Sequence, residues 1–417
     1  MPKLFLALLI SVCFFSSATA VELAAPASRD WNQWRGPNRD GKSPEKGLLK
    51  KWPKAGPKLL WQGKGLGRGY SSVAFSKGRL FTMGHIQGSA NLIAIDAANG
   101  QIIWKKPVGG GQPNCTPTVD GERVYALSRG GDLVCADVKN GKIVWRVNFR
   151  NDLGGRMMSG WGYSESPLVD GDRLIVTPGA DDAAIAALNK KTGAVIWKTR
   201  MPKSKGAGYS SIVISQAAGV KQYVQLTGRG LIGVSAADGK LLWGYNKVAN
   251  GTANIPTPII SGDYVFASSG YNTGAALLKI SKRGREVVAS EVYFLRHTVF
   301  QNHHGGMILI GKHVYTGHGH NKGFPLCIEL MTGKVAWRPG RGPGGRSAAI
   351  AFADGHLYFR YENGTMALIE AKPSKYRLKG SFRLASVKGA SWPHPCISDG
   401  RMFLRDQDVL MCYDLRK

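Results

Sequence analysis

One eleven-residue pattern recurs along this chain and constrains its fold more than any other feature. A small residue begins the pattern, and a glycine stands six positions later. One variable residue, two apolar residues and a tryptophan follow that glycine. Clear copies end at Trp104, Trp145, Trp197, Trp243 and Trp337. A degenerate copy, LKISKRGREVV, has Gly284 at the turn and Val288 in place of the tryptophan. A period of about 45 residues indicates an array in which each repeat is one supersecondary unit.

Each repeat carries the turn signals of a four-stranded antiparallel sheet. Asn-Gly, Thr-Gly or Asp-Gly before the tryptophan supplies the positive φ of a tight hairpin. A second turn precedes it, as in Val119-Asp-Gly121 and Ala353-Asp-Gly355. Four short strands per repeat predict one blade of a propeller, and the tryptophan is placed to cover the seam with the next blade. The predicted blades begin near Ser71, Cys115, Ser164, Tyr209, Ile255, Gly305, Ser347 and Trp392.

The two ends of the repeat array complement each other. The last repeat stops at Cys412-Tyr-Asp-Leu415 without an outer strand, whereas Pro57-Lys-Leu-Leu-Trp61 matches an outer strand that has no blade before it. Pairing these segments would close the ring and hide both edges. We therefore predict an all-β, eight-bladed β-propeller with tryptophan-docking repeats, closed by its N-terminal strand; seven blades is the alternative.

The first twenty residues have the pattern of a secretory signal peptide. Lys3 gives a positive n-region, Leu4 to Phe15 an apolar stretch, and Ala18-Thr19-Ala20 a cleavage site. We expect a signal peptide at 1–20, an N-terminal extension at 21–56 and a single propeller domain at 57–417. The predicted location is the periplasm or the extracellular space, and no later segment is apolar enough to span a membrane.

The cysteines of the repeats fall at repeated strand positions. Cys135, Cys327 and Cys412 occupy one repeated strand position, and Cys115 and Cys396 share another, which predicts free, buried thiols rather than disulfides.

The net charge of +29 is spread along the chain. Dispersed charge in an exported protein disfavours nucleic acid and favours an envelope protein or an anionic cell-surface polymer as the partner of an expected monomer.

These repeats resemble the tryptophan-docking repeats of enzymes that use pyrroloquinoline quinone (PQQ), which the cofactor-free barrel-assembly lipoproteins of the BamB type share. The segment Trp31-Asn-Gln-Trp34-Arg35-Gly36 looks like the Trp-x-x-aromatic-Arg-Gly opening of quinoproteins, and also like the start of exported PQQ-like propellers of planctomycete type. The resemblance covers nearly all of the chain after the signal peptide. It implies the fold, but one propeller can host unrelated activities.

Loops that precede the inner strands converge on the channel of a propeller and hold the candidate cofactor site. Quinoprotein dehydrogenases hold calcium with oxygen ligands and use a carboxylate base and an arginine beside the quinone. The resemblance makes Glu165 and Arg346 the candidate catalytic residues, although the adjacent cysteine pair of the alcohol-oxidising enzymes is missing. The candidate cofactor-binding residues are Tyr70, Asn114, Tyr163, Glu165, Tyr209, Asn254, Arg346 and Trp392.

Five histidines form a second candidate site. His318 and His320 alternate, so they point to one side if the segment is extended. Imidazoles that converge on a channel can bind zinc or copper, whereas solvated turn histidines are the alternative. The candidate metal ligands are His303, His304, His318, His320 and His394.

Two functions of different class remain open from the sequence. The preferred hypothesis is a non-catalytic binding or scaffold protein of the cell envelope, similar to the BamB-type assembly factors. The alternative is a PQQ-dependent alcohol or sugar dehydrogenase. Only some of the residues expected of a calcium and quinone site are present, and this favours the scaffold hypothesis over the dehydrogenase.

Overall fold

Eight four-stranded antiparallel sheets make up the fold, which confirms the eight-bladed β-propeller and rules out seven blades. The computed structural model describes Met1 and residues 30–417. The predicted signal peptide and Cys13 therefore lie outside the described residues. In each blade the four strands follow one another in sequence from the channel outward, except in blade 8.

The first four blades use consecutive strands and one short helix. Blade 1 comprises β2 Ala74–Ser76, β3 Arg79–Ile86, β4 Ser89–Asp96 and β5 Ile102–Gly110. Blade 2 comprises β6 Thr118–Asp120, β7 Arg123–Leu127, β8 Asp132–Asp137 and β9 Ile143–Asn148, followed by α1 Phe149–Leu153. Blade 3 comprises β10 Leu168–Asp170, β11 Arg173–Val176, β12 Ala186–Asn189 and β13 Val195–Lys198. Blade 4 comprises β14 Val213–Ser215, β15 Gln222–Thr227, β16 Gly230–Ser235 and β17 Leu241–Tyr245, with a 3-10 turn at Ala217–Gly219.

The remaining four blades complete the ring. Blade 5 comprises β18 Ile259–Ser261, β19 Tyr264–Ser269, β20 Gly274–Arg283 and β21 Glu286–Arg296. Blade 6 comprises β22 Met307–Ile310, β23 His313–His318, β24 Phe324–Glu329 and β25 Val335–Trp337, with a 3-10 turn at His320–Lys322. Blade 7 comprises β26 Ala348–Ala353, β27 His356–Tyr361, β28 Thr365–Glu370 and β29 Leu378–Arg383. Blade 8 comprises β30 Cys396–Ser398, β31 Arg401–Asp406, β32 Val409–Asp414 and β1 Leu59–Gly63.

The ring closes through β1 as the sequence predicts. This strand lies antiparallel to β32 at the outer edge of blade 8, with Trp61 opposite Cys412. A strand from the start of the array thus covers the edge that the last repeat leaves open, so blade 8 has the same four strands as the others.

The repeated tryptophans dock on the next blade. Trp104 donates its indole N–H to the Val138 carbonyl of blade 2, and Trp145 donates to the Lys190 carbonyl of blade 3. The hairpin glycine of that next blade lies under the indole in each case, and its missing Cβ makes the close approach possible. These contacts confirm that the tryptophans cover the seams between blades.

Blade 5 departs from the pattern, and its neighbour adapts. The β20–β21 hairpin is the degenerate repeat, and its strands of 10 and 11 residues are longer than those of the other blades. No atom lies within 4 Å of a Cβ placed on its turn residue Gly284. Trp243 of blade 4 instead donates to Gln222 Oε1 of its own blade, at 2.5 Å.

Apolar side chains of neighbouring blades form the core. The five cysteines of the described chain are free and buried within it, which confirms the prediction from their repeat positions. Burial raises the pKa of Cys115 and of Cys327 to about 12, so both remain thiols at neutral pH. None of the helices in the described part of the chain has the length and hydrophobicity that a membrane span requires.

Candidate functional site

A segment that precedes the propeller fills the central channel. Residues 31–43 contact the inner strands or their loops in six of the eight blades. Trp31 and Phe75 of blade 1 exchange two backbone hydrogen bonds at one end of the segment. At the other end, the Ser43 N–H donates to the Phe352 carbonyl of blade 7, at 2.8 Å. The segment separates a cavity on the side of the inter-blade loops from a second cavity on the opposite side.

Two buried arginines anchor this segment. Arg39 donates to the carbonyl oxygens of Ser166 and Pro167 in blade 3. Arg35 donates through Nη2 to the carbonyl oxygens of Met307 and Asp40. Burial lowers the pKa of each guanidinium to about 10, so both stay charged at neutral pH. Within residues 30–417, Arg35 forms no ion pair with a carboxylate; carbonyl oxygens accept its hydrogen bonds, and the charge of Asp40 opposes the lowering of its pKa.

The cavity on the loop side has a volume of about 310 Å³ and is mainly aromatic. Trp34 and Arg35 of the channel segment contribute to its lining, and the inter-blade loops supply the rest. Of the residues expected at the channel, the structure places these seven in the lining: Tyr70, Asn114, Tyr209, His303, His304, Trp392 and His394. A concave, largely apolar site with a few polar groups is the usual form of a small-ligand pocket.

A row of stacked rings forms one part of the wall. Trp392 stacks on Tyr70 with the ring centroids 4.2 Å apart, and its ring lies 4.7 Å from that of His304. His304 lies 3.8 Å from His303, whose ring lies 4.0 Å from that of His320. Rings from the loops of blades 1, 6 and 8 thus form one continuous aromatic surface.

The histidines of this row are electrically neutral at physiological pH. Burial lowers the pKa of His303 and of His394 to about 3, and it also lowers the pKa of His304. His303 hydrogen bonds through its ring nitrogens to Asn321 Oδ1 at 2.6 Å and to the Tyr271 hydroxyl at 3.2 Å. His394 Nε2 bonds to the His304 carbonyl at 3.0 Å. Both ring nitrogens of His303 and one of His394 are therefore engaged, whereas His394 Nδ1 and the two ring nitrogens of His304 form no hydrogen bond within residues 30–417.

The structure does not extend the Gly-His-Gly-His segment. Gly319 and His320 have φ angles of 91° and 51°, so the strand ends at His318 and a 3-10 turn follows. His318 Nδ1 accepts from the Gln301 N–H, and burial lowers the pKa of His318 to about 4. The extended segment on which the prediction of a shared direction depends is therefore not formed. Across residues 30–417, no three His, Cys, Asp or Glu side chains are grouped as metal ligands.

Glu165 lies beside the channel but is turned away from the cavity. Its two carboxylate oxygens accept from the N–H and the hydroxyl of Thr177, and the side chain of Gln225 is 3.4 Å away. Burial raises the pKa of this carboxyl to about 7, an effect that the Thr177 hydrogen bonds and the charge of Arg39 oppose. Its contacts link blades 3 and 4.

Three further candidates also lie outside the cavity lining. The Tyr163 hydroxyl donates to the Pro178 carbonyl, and Asn254 donates to the Thr227 carbonyl and accepts from the Asn250 N–H. Both side chains are buried within loops. Arg346 adopts a φ of 63°, and its side chain is 71% exposed and paired with Glu362 at 3.5 Å.

Several lining residues have no counterpart among the sequence candidates. They are Trp34, Arg35, Trp161, Tyr271, Asn321 and Glu362. Trp34 and Arg35 belong to the Trp-x-x-aromatic-Arg-Gly segment. The sequence shows this motif, but it does not show that the segment enters the channel, so the motif alone did not identify the two residues as part of the lining. Trp161 precedes Tyr163 by two residues and is 52% exposed at the cavity rim.

The lining does not fit a calcium-bound quinone. Calcium takes six to eight oxygen ligands, commonly carboxylates. Glu362 is the one carboxylate in the described lining, and it pairs with Arg346. Glu165 is bound to Thr177, and Asn254 to backbone groups of its own loops. These side chains provide no oxygen cage, so no catalytic step through calcium or PQQ follows from this geometry.

Comparison with known proteins relates the chain to one propeller family. The family profile described as outer membrane protein assembly factor BamB matches residues 45–131 and 89–339. Tetrathionate hydrolase of Acidithiobacillus ferrooxidans is 28% identical over 239 residues, which are 50% of this chain and 44% of that protein. BamB of Shewanella oneidensis is 31% identical over 88 residues, 19% of this chain and 22% of that protein. The chain thus aligns with less than half the length of either curated relative.

Solved structures share the architecture at low sequence identity. BamB from Moraxella catarrhalis matches with a TM-score of 0.61 and 14% identity, covering 86% of this chain and 98% of that one. Quinohemoprotein alcohol dehydrogenase from Comamonas testosteroni matches with a TM-score of 0.65 and 13% identity, covering 93% of this chain and 81% of that one. At this identity the likeness shows the fold alone.

Proposed function

The chain belongs to the family of PQQ-like β-propellers described as outer membrane protein assembly factor BamB, and on that premise we propose that it is an exported binding or scaffold protein of the cell envelope. In this proposal the chain is a monomer of the periplasm or the extracellular space. Its partner is an envelope protein or an anionic surface polymer, to which a net charge of +29 is suited.

The observation that carries the proposal is the closed channel with an open aromatic cavity on one side. The chain's own segment 31–43 fills the channel, and the inter-blade loops leave a cavity above it. Trp161 presents an exposed indole at the rim, where aromatic side chains are common anchors of binding interfaces. The closed ring of eight blades, with tryptophans docked across several of its seams, supports these loops.

The chemistry of the lining supports binding more than catalysis. General acid–base catalysis is most effective when the pKa of the catalytic group lies near the working pH. The pKa of His303 and of His394 is lowered to about 3, which makes both imidazoles weak bases. The hydrolytic activity in the name of tetrathionate hydrolase is therefore not our proposal for this chain.

The test places a photo-activated cross-linking amino acid at position 161 in cells of the source organism. We expect one covalent adduct in the envelope fraction, identified by mass spectrometry. The control is position 331, whose side chain is 41% exposed at a turn between two outer strands of blade 6. Equal adducts from both positions, or no adduct of position 161 with either a protein or a polysaccharide, would overturn the proposed binding face.

A PQQ-dependent dehydrogenase is the second candidate, because Trp392 and Arg35 offer a planar wall and a cation in one cavity. Calorimetric titration with PQQ and calcium, beside dye reduction with alcohols and sugars, separates the two functions. Saturable binding at one per chain together with dye reduction would make the protein an enzyme. The absence of both supports the scaffold proposal.

A further inference from the structure

Several polar groups around the aromatic cavity form no hydrogen bond within the described chain. Asn114 donates through Nδ2 to the Trp161 carbonyl and to Ser164 Oγ, which leaves its Oδ1 as a free acceptor. Asn321 uses Oδ1 toward His303 and Ser347, which leaves its Nδ2 as a free donor. The Trp392 indole N–H is buried without a partner.

His304 adds a donor and an acceptor to this set. Neither ring nitrogen forms a hydrogen bond with a residue in 30–417, and the ring lines the cavity. Burial and the neighbouring histidines lower the pKa of His304, so the ring is neutral and offers one N–H and one lone pair. The lining of this one cavity therefore contains both unpaired donors and unpaired acceptors.

This mixture points to a ligand that both donates and accepts hydrogen bonds. A flat quinone such as PQQ offers acceptors and at most one N–H donor, which is too few donors to pair with both Asn114 Oδ1 and the acceptor nitrogen of His304. A hydroxyl group donates and accepts at once, so a ring that carries several hydroxyls can satisfy the whole set. A buried polar group that loses water without gaining a partner disfavours binding, which makes such pairing a strong determinant of selectivity.

The charge of the cavity indicates an acidic ligand. Glu362 is neutralised by Arg346, and the lining histidines whose pKa is lowered to about 3 are uncharged. Arg35 remains as a buried cation without an ion pair in the described residues, because the nearby Asp40 carboxylate pairs with Lys42 at 2.9 Å, and Arg35 Nη1 forms no hydrogen bond with a described residue. One surplus positive charge in the lining complements a ligand with one negative charge.

Size and wall chemistry restrict the ligand further. About 310 Å³ is at the small end of ligand pockets, so it accepts one ring rather than an extended molecule. The indoles of Trp34, Trp161 and Trp392 provide large apolar faces against which the C–H groups of a saturated ring can pack. The open loop side lets a polymer continue beyond the bound ring.

We propose that this cavity binds the pyranose ring of a uronic acid, the terminal unit of an acidic polysaccharide, with its carboxylate toward Arg35. The inference rests on the proposed binding function and names its ligand. It selects the anionic polymer over the envelope protein as the occupant of the cavity.

The experiment is calorimetric titration of the purified protein with D-glucuronic acid, D-glucuronamide and D-glucose. We expect saturable binding of the acid at one per chain, in the millimolar range. The neutral amide keeps every hydroxyl and should bind about tenfold more weakly, because it loses one charge-assisted hydrogen bond. No saturable binding of the acid, or equal binding of acid and amide, would overturn the inference.

Two variants locate the bound sugar. His304→Phe keeps a ring in the stacked row and removes both nitrogens, and we expect about tenfold weaker binding of the acid. Arg35→Gln should reduce the affinity for the acid to that for the amide, provided that its circular dichroism matches the parent protein. Arg285→Gln, at the exposed tip of the β20–β21 hairpin, is the control and should leave the affinity unchanged. Unchanged affinity in His304→Phe would place the sugar elsewhere and overturn the site.

The result of the sugar titration can be distinguished from the result of the cross-linking test of the scaffold function. A cross-linked protein partner at position 161 without uronic acid binding refutes the sugar and leaves the scaffold function standing. Uronic acid binding without a protein adduct supports the sugar and assigns the face to a polymer. The absence of both refutes the two proposals together.

Discussion

The indole of Trp104 lies directly over Gly141 of the next blade, so close that a Cβ on that glycine would stand 2.6 Å from Trp104 Cε3. The same relationship joins Trp61 to Gly100, Trp145 to Gly193 and Trp197 to Gly239. Glycine at this turn therefore serves twice, since it permits a positive φ and leaves room for the tryptophan of the neighbouring blade.

Gly141→Ala should destabilise the propeller more than an alanine at an equally left-handed but open turn. Gly141 has a φ of 73° and meets Trp104, whereas Gly121 has a φ of 57° and has no atom within 4 Å of the added Cβ. We expect losses of about 2–4 kcal/mol for Gly141→Ala and about 1 kcal/mol for Gly121→Ala. Urea denaturation of both variants measures the difference. Equal losses of unfolding free energy would mean that the contact with Trp104 adds nothing to the cost of placing alanine in a left-handed backbone.

Asp406→Asn should destabilise blades 7 and 8. Asp406 pairs with Arg360 at 3.3 Å, both side chains are at most 1% exposed, and burial lowers the pKa of Arg360 to about 10. Removing the carboxylate leaves a buried cation without its counter-charge, which costs about 3–5 kcal/mol.

The control for that variant is Asp181→Asn. Asp181 pairs with Arg156 at 2.5 Å, but the two side chains are 45% and 52% exposed, so solvent screens the pair and the change should cost far less stability than Asp406→Asn. Thermal unfolding of both variants at pH 7 makes the comparison. If Asp181→Asn lowers the midpoint as much as Asp406→Asn, burial does not set the strength of these pairs.

Glu165 should make the folded state less stable as the pH rises from about 4.5 to about 7. Burial raises the pKa of this carboxyl from 4.5 to about 7, so in this range the folded protein holds a proton that the unfolded chain has lost. Its contribution is complete below pH 4.5 and is lost by about pH 7, with a size on the order of 3 kcal/mol.

Glu165→Gln isolates this contribution from those of the other titrating groups. The difference in unfolding free energy between the parent protein and the variant should change over the range from pH 4.5 to 7 and be constant above it. Glu122→Gln, at an exposed turn, serves as the control. A difference that does not vary with pH would contradict the raised pKa.

His303 and His394 should remain uncharged from pH 8 down to pH 5. Their pKa is lowered to about 3 because both rings are buried, whereas the unfolded chain protonates near 6.5. The folded state therefore loses stability as the pH falls below about 6.5, the opposite sign to Glu165 over part of the range. Nitrogen NMR of the imidazoles measures this directly, and a midpoint between pH 5.5 and 8 for either ring would contradict it.

The sequence was sufficient for the architecture because the repeat encodes it locally. Hairpin glycines and tryptophans at fixed spacing define each blade, and the unmatched Pro57–Trp61 segment indicated the closure. Even the degenerate repeat at Gly284 kept enough of the turn to be counted. These features depend on neighbours in sequence or on the next repeat, so no long-range packing had to be known.

The candidate site was less predictable because it depends on where side chains turn. Glu165 and Ser164 are adjacent, yet Ser164 lines the cavity and Glu165 faces Thr177. The left-handed backbone at Arg346 directs that side chain to solvent. Trp34 and Arg35 reach the cavity only because their segment enters the channel, a path that no local pattern indicates.

The pairing of β1 with β32 has a consequence for biosynthesis. Contacts near this seam join residues far apart in the chain, as in the Gly67 N–H that donates to Asp408 across 341 positions. Contacts of such separation require the closure of a very long loop, which slows folding. During synthesis, β1 emerges before β32 has been made, so its edge stays uncovered until the last blade arrives. A chain truncated before β32 would keep this edge of β1 open.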